Sequence, residues 1–228
     1  MLAPAVLAHR SADIFGYSKA ASLFVTETDR RQALEDVFET LDAAESIVFL
    51  DTEATGNGEQ ARLIEVGMVE KSPEGELIGG MNFRCNPHRR SSGGARRVHG
   101  IADCELEHCR EFAWYAKDLR EALMGKVVVI HDPTNDIRWL NKEFRMLDPN
   151  AAPIESLCTV IDSYTLASWL PSERCRNGMD GLAAWYGFAR TASFHSAYGD
   201  ADLLSKVFFE LWWDLADFLW PQEEADAA

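Results

Sequence analysis

The sequence predicts an α/β layer fold with a mixed sheet, and three observations carry that prediction. Ile47-Val-Phe-Leu50 and Val127-Val-Val-Ile130 are short continuous apolar runs, the pattern of strands buried on both faces. Between them, residues 63–69 and 77–83 read as strands on either side of Ser72-Pro-Glu-Gly75, a turn signal that predicts a hairpin. Amphipathic helical segments separate and follow these strands, as expected where helices pack on a sheet.

Taken in order, the elements give one layout. Residues 1–45 read as an extension, with a helix over 29–41 where Leu34, Val37, Phe38 and Leu41 recur at helical spacing. That stripe, with Trp212, Trp213 and Trp220 near the other end, is expected to cover the core, with a role in association as the alternative. From 105 to 123 the positions Leu106, Cys109, Phe112, Ala116, Leu119 and Leu123 step by three or four, predicting one amphipathic helix that stops at Gly125. Further helices are expected over 137–147, around 161–170 and 181–186, and over 201–218, where Leu204, Phe208, Leu211 and Leu215 share a face. Residues 46–220 then form the main domain and 221–228 an acidic tail.

The chain has 228 residues, 47% of them apolar and 26% charged, which excludes a disordered or fibrous class. No run approaches the ~18 apolar residues of a membrane helix, and no secretory leader is evident. A soluble, cytoplasmic protein is expected. Its five cysteines, an odd number, are then expected to be reduced. The net charge of −15 argues, in bulk, against a nucleic-acid partner. The acidity is segregated, however. Residues 77–102 hold five arginines (Arg84, Arg89, Arg90, Arg96 and Arg97) and no acid, whereas 200–228 hold eight acids and one lysine. The basic stretch, read as a loop, could track phosphates or simply be solvated.

Three short segments carry candidate chemistry. Asp51-Thr-Glu53 ends the first buried strand, and residues two apart on a strand project together. Two clustered acids suit a hard divalent cation such as Mg²⁺ or Mn²⁺, or else form a solvated strand end. After the second buried strand comes His131-Asp-Pro-Thr-Asn-Asp136, whose last acid could bind metal or cap a helix. His195-Ser-Ala-Tyr-Gly-Asp200 opens the last helix and offers an imidazole able to take a proton beside a further carboxylate. Each segment alone has an ordinary reading as capping or surface chemistry.

In this order the three segments resemble the DnaQ-like 3′–5′ exonucleases of the DEDDh type. Residues 51–56, Asp-Thr-Glu-Ala-Thr-Gly, are similar to the family's DTETTG, Arg62-Leu-Ile-Glu-Val-Gly67 to its next strand, and Val98-His-Gly-Ile101 to its VHGI turn. Leu166-Ala167 and Arg176-Asn-Gly-Met-Asp-Gly-Leu182 resemble the segment before the last motif in epsilon proofreading subunits of bacterial DNA polymerase III. The resemblance implies a ribonuclease H-like fold: a five-stranded mixed sheet flanked by helices, with an N-terminal helical extension. It implies that Asp51, Glu53, Asp136 and Asp200 hold two Mg²⁺ or Mn²⁺ ions and that His195 is the general base. Thr52, Ala54, Thr55, Val98, His99 and Asp132 are the implied substrate contacts.

The implied reaction releases nucleoside 5′-monophosphates from single-stranded DNA 3′ ends, with a polymerase or other protein as partner and no membrane. RNA or oligoribonucleotide ends are the alternative substrate. A non-catalytic binding module is the alternative class, and the presence of all five active-site residues speaks against it. Two positions depart from the family's HNAxFD: Asp132 replaces an asparagine and Asn135 an aromatic, which bears on how substrate is held. A structural zinc on Cys85, His88, Cys104 and His108 is disfavoured by the long glycine-rich gap and the lack of a second matching pair.

Overall fold

The structure, a computed structural model, describes residues 27–170, 178–190 and 193–219. Residues 1–26, Cys175, Trp220 and the acidic tail lie outside the described residues, as do Arg176 and Asn177. Strands β1 (Ile47–Ala54), β2 (Leu63–Lys71) and β3 (Leu77–Arg84) form an antiparallel meander. Strands β4 (Val127–Ile130) and β5 (Thr159–Asp162) extend it in parallel from β1, giving the order β3-β2-β1-β4-β5. This is the expected five-stranded mixed sheet.

Side-chain alternation along β1 divides the interior into two cores. Ile47 and Phe49 face α1 (Glu27–Asp42) and the long last helix, while Val48 and Leu50 face the opposite layer. On the first face, Leu34, Val37 and Leu41 of α1 are buried, and Phe38 stacks on Trp212 with ring centroids 3.6 Å apart. The N-terminal helix therefore covers the core, as its spacing predicts.

The structure corrects the predicted elements in three places. The basic stretch is not all loop: Gly93–His99 forms a helix, α2, with Ser92 as N-cap and Gly100 (φ 70°) as left-handed C-cap. The single helix expected over 105–123 is two, α3 (Asp103–Leu106) and α4 (Phe112–Leu123). Leu106 packs with Ile64 and Ile101 in a small satellite cluster, whereas Phe112, Leu119 and Leu123 enter the second core. The periodicity ran through a break because both pieces bury apolar residues. Last, the segment read as helix from 161 begins as β5, and Asp162 then caps α6 (Ser163–Ala167) by accepting from the Tyr164 amide.

Helix α5 (Thr134–Leu147) follows β4, and α7 (Gly178–Trp185) and α8 (Ala197–Leu219) close the first face. Two contacts seat the helices that bear site residues. Glu143 of α5 takes Arg62 through Nε at 2.6 Å and Nη2 at 2.9 Å, tying α5 to the start of β2. Gly67 of β2 lies against α8 so closely that a Cβ would stand 2.0 Å from the Tyr198 nitrogen. Any larger residue there would push α8, and the acid it carries, away from the sheet.

Candidate active site

A cleft of about 590 Å³ opens past the C-terminal ends of β1 and β4, where ligands bind in open α/β sheets. β1 pairs with β4 only as far as Phe49↔Val129, so Asp51, Thr52 and Glu53 run on beyond the divergence. Asp51 and Glu53 continue the alternation of Ile47 and Phe49 and face α8. Thr52 faces the other layer, where its hydroxyl donates to Asp136 Oδ1 at 2.6 Å.

Asp136 is not the N-cap of α5. Pro133 holds that position without a side-chain bond, and Asp136 sits buried in the first turn. Asp200 lies in the first turn of α8, with His195 on the segment before it. His195 Nδ1 stands 3.0 Å from Asp200 Oδ2, and the His195 amide donates to Val98 O at 3.1 Å. Among the described residues, one group of three possible metal ligands has donor atoms within 4.8 Å of one another: Glu53, His195 and Asp200.

Nine of the eleven residues expected from the sequence line this cleft: Asp51, Thr52, Glu53, Ala54, Val98, Asp132, Asp136, His195 and Asp200. Thr55 and His99 do not. Thr55 is buried with its hydroxyl accepting from the Arg62 amide, and His99 is buried with Nδ1 accepting from the Ile101 amide. Both shape turns beside the cleft rather than forming its wall.

The carboxylates are held against their own charge. Desolvation first, then Asp136 and Glu53, raise Asp51 well above its ordinary pKa of 3.8. Burial, Glu65 and Asp136 push Glu53 up to about 8. Burial raises Asp136 to about 6 despite the hydrogen bond from Thr52. Crowded, desolvated carboxylates gain most from a divalent cation, and their hard oxygens match Mg²⁺ or Mn²⁺, so the residues fit such ions. His195 is lowered from 6.5 by burial and then by Arg190, both of which favour the neutral imidazole.

Three contributors escaped the sequence reading. Glu65, buried on β2, accepts from the Ala197 amide at 2.9 Å and so fixes the start of α8. Its other oxygen takes Arg84 at 2.9 Å, which removes one arginine from the basic stretch. Arg190 contacts Asp200, and Trp139 lines the cleft. Glu65 was visible within Arg62-Leu-Ile-Glu-Val-Gly67, but nothing marked Arg190. The zinc alternative has no geometry: Cys85 is buried and donates to Leu63 O, while His88 pairs with Glu111.

Comparison with known proteins identifies the family and the fold. The RNase T exonuclease family model matches residues 48–208. The epsilon subunit of DNA polymerase III from Escherichia coli K12 is 32% identical over 174 residues, covering 72% of this chain and 70% of that protein. The Buchnera aphidicola epsilon subunit is 30% identical over 172 residues, covering 71% and 72%. Among solved structures, the nuclease domain of 3′hExo, a DEDDh family member bound to rAMP, superposes with TM-score 0.62 at 15% identity, covering 75% of this chain and 94% of that one. E. coli exonuclease I with a dT13 oligonucleotide gives 0.59 at 17% identity, covering 78% and 42%. From a family model that matches residues 48–208, and from relatives at 30% and 32% identity that this chain covers to more than two thirds of their length, the chain belongs to the exonuclease family that includes the epsilon subunits of bacterial DNA polymerase III.

Proposed function

We propose that this nuclease is a two-metal-ion 3′–5′ exonuclease that removes nucleoside 5′-monophosphates from single-stranded DNA ends. The observation that carries the reading is the convergence of four carboxylates and one imidazole, from β1, α5 and the start of α8, in a single cleft. Divalent ions held by Asp51, Glu53, Asp136 and Asp200 would supply Lewis acidity, activating water and neutralising charge at the scissile phosphate. His195 takes the proton from the attacking water. Its Nδ1–H donates to Asp200, which leaves the lone pair on Nε2 and fixes the ring. Val98, Ala95 and Trp139 offer apolar wall for the terminal nucleotide, and the cleft volume suits one small ligand.

Asp132, the departure from the family motif, has a backbone reason. Its φ is 56°, in the left-handed region that asparagine and aspartate tolerate better than other side chains. Its carboxylate accepts from Thr134 Oγ1 at 3.0 Å, steadying the first turn of α5, which bears Asp136. Asn135, the other departure, accepts from Arg138 Nη2 at 2.7 Å on the cleft wall. Kinship with epsilon subunits extends the proposal to a polymerase partner.

The test is end-labelled DNA and RNA oligonucleotides incubated with Mg²⁺, Mn²⁺ or EDTA. Stepwise loss of 3′ nucleotides from single-stranded DNA, abolished by EDTA, is expected. Faster degradation of RNA would reassign the substrate, and no metal-dependent cleavage of either would overturn the reading.

A further inference from the structure

The proposed metal site already contains a cation of the protein's own. Arg190 lies between α7 and α8, and its guanidinium bridges two acids. Nε donates to Asp180 Oδ1 at 2.6 Å, and Nη1 contacts Asp200 Oδ1. The burial of the three groups is graded. The Asp180 side chain is 58% exposed at the rim, Arg190 is 18% exposed, and Asp200 is 10% exposed in the cleft. The other oxygen of Asp200, Oδ2, is engaged by His195. Both oxygens of Asp200 thus face the protein's own side chains, Arg190 on one side and His195 on the other.

This geometry has a consequence for metal binding. A guanidinium in contact with Oδ1 blocks a divalent ion there by volume and repels it by charge. In exchange, it lessens the repulsion among Asp51, Glu53, Asp136 and Asp200. Once divalent ions arrive, that service is redundant and the guanidinium is itself repelled. Asp180 supplies a place for it to stay: a charge-assisted bond at the rim keeps Arg190 in reach without remodelling the segment.

We propose that Arg190 is an exchangeable counter-cation of the catalytic cleft: it occupies Asp200 in the metal-free protein, competes there with the divalent ion, and is retained by Asp180 when displaced. Arg190 thereby sets how much divalent metal the enzyme needs. The proposal rests on Asp200 being a metal ligand, as argued above.

Calorimetric titration of the full chain with Mn²⁺ tests it. Arg190→Gln should lower the Kd for Mn²⁺ by about tenfold, the worth of one charge-assisted contact. It should also lower the melting temperature of the metal-free protein, and the deficit should close at saturating Mn²⁺. Arg190→Lys, which keeps the charge but cannot bridge both acids, should tighten Mn²⁺ by a smaller factor and covers the case in which the glutamine variant does not fold. Unchanged or weaker Mn²⁺ binding in folded Arg190 variants overturns the proposal. Asp200→Asn separates the two ways to fail. If it binds Mn²⁺ like the wild type, the metal-site reading itself is wrong. If it loses Mn²⁺ while the Arg190 variants bind normally, only the role of Arg190 falls.

Discussion

Two cavities of nearly equal size lie at opposite ends of the sheet, and both are lined by acids, but Asp36, Glu39 and Glu45 of the one are exposed or half-buried while Glu53, Asp136 and Asp200 of the other are buried. The cleft past the C-terminal ends of β1 and β4 measures about 590 Å³; the other, at the N-terminal ends by Ser46, Lys126 and Thr159, about 630 Å³. Beside the second, Glu70 is satisfied by Lys126 at 2.7 Å and by Ser46 at 2.5 Å. In the first, Glu53, Asp136 and Asp200 are buried together beside Asp51, and the Arg190 guanidinium reaches Asp200. Neither volume nor acidity therefore identifies the site; carboxylates crowded together out of water do.

The largest effect should follow from breaking the charged cleft. Asp51→Asn or Asp200→Asn is expected to lower turnover at least about a thousandfold, with circular dichroism unchanged. Lys126→Ala at the opposite cavity should leave turnover within about twofold. Comparable losses at both ends would erase the distinction. His195→Ala ranks next, at roughly 10²–10⁴-fold. Because burial and Arg190 lower His195 from 6.5, the neutral base accumulates as pH rises through a value below 6.5, and the wild-type rate should rise there. The alanine variant should lose this limb, so an unchanged pH profile removes His195 as the base.

The two ends should also respond oppositely to pH. Glu53 holds its proton more tightly folded than unfolded, so the metal-free protein loses stability as pH rises from about 4.5 through about 8. Burial would raise Glu70 too, but its bonds to Lys126 and Ser46 outweigh that and lower it from 4.5. Its contribution is present above that pH and lost as pH falls below it. Melting temperatures in EDTA should therefore fall toward pH 8, and Mg²⁺ or Glu53→Gln should flatten that decline. Glu70→Gln should flatten only the acid side. A decline toward pH 8 that persists in Glu53→Gln would contradict the assignment.

Smaller effects belong to the rim. Replacing Arg89, Arg90, Arg96 and Arg97 with alanine should raise KM and make the salt dependence shallower by roughly 0.7 per lost phosphate contact. An unaltered slope would leave these arginines solvated. Asp132→Asn should change least: asparagine tolerates φ 56°, so the fold holds, and single-stranded DNA should bind more tightly at low ionic strength. Weaker Mg²⁺ dependence instead would place Asp132 among the metal contacts.

Much of this was legible in the sequence because its signals are local. Apolar runs marked β1 and β4, and the three short segments bearing Asp51 and Glu53, Asp136, and His195 and Asp200 each stood out locally, but it was the resemblance of their order to the DEDDh exonucleases that joined them into one site. What escaped depends on tertiary contact. β5 has only four residues, and the helical pattern directly after it hid it until its pairing with β4 was seen. The Gly-Gly start of α2 disguised a helix that Ser92 and Gly100 cap. Glu65 and Arg190 act across 132 and 10 residues of chain, distances at which no periodicity reports. Thr55 and His99 look like cleft residues by position but are turned to backbone amides.

Anomalous scattering from crystals soaked in Mn²⁺ tests the central claim most directly. The account predicts two peaks within bonding distance of the carboxylates of Asp51, Glu53, Asp136 and Asp200, and none beside Glu70. Peaks at both ends of the sheet, or an empty cleft at saturating Mn²⁺, would contradict it.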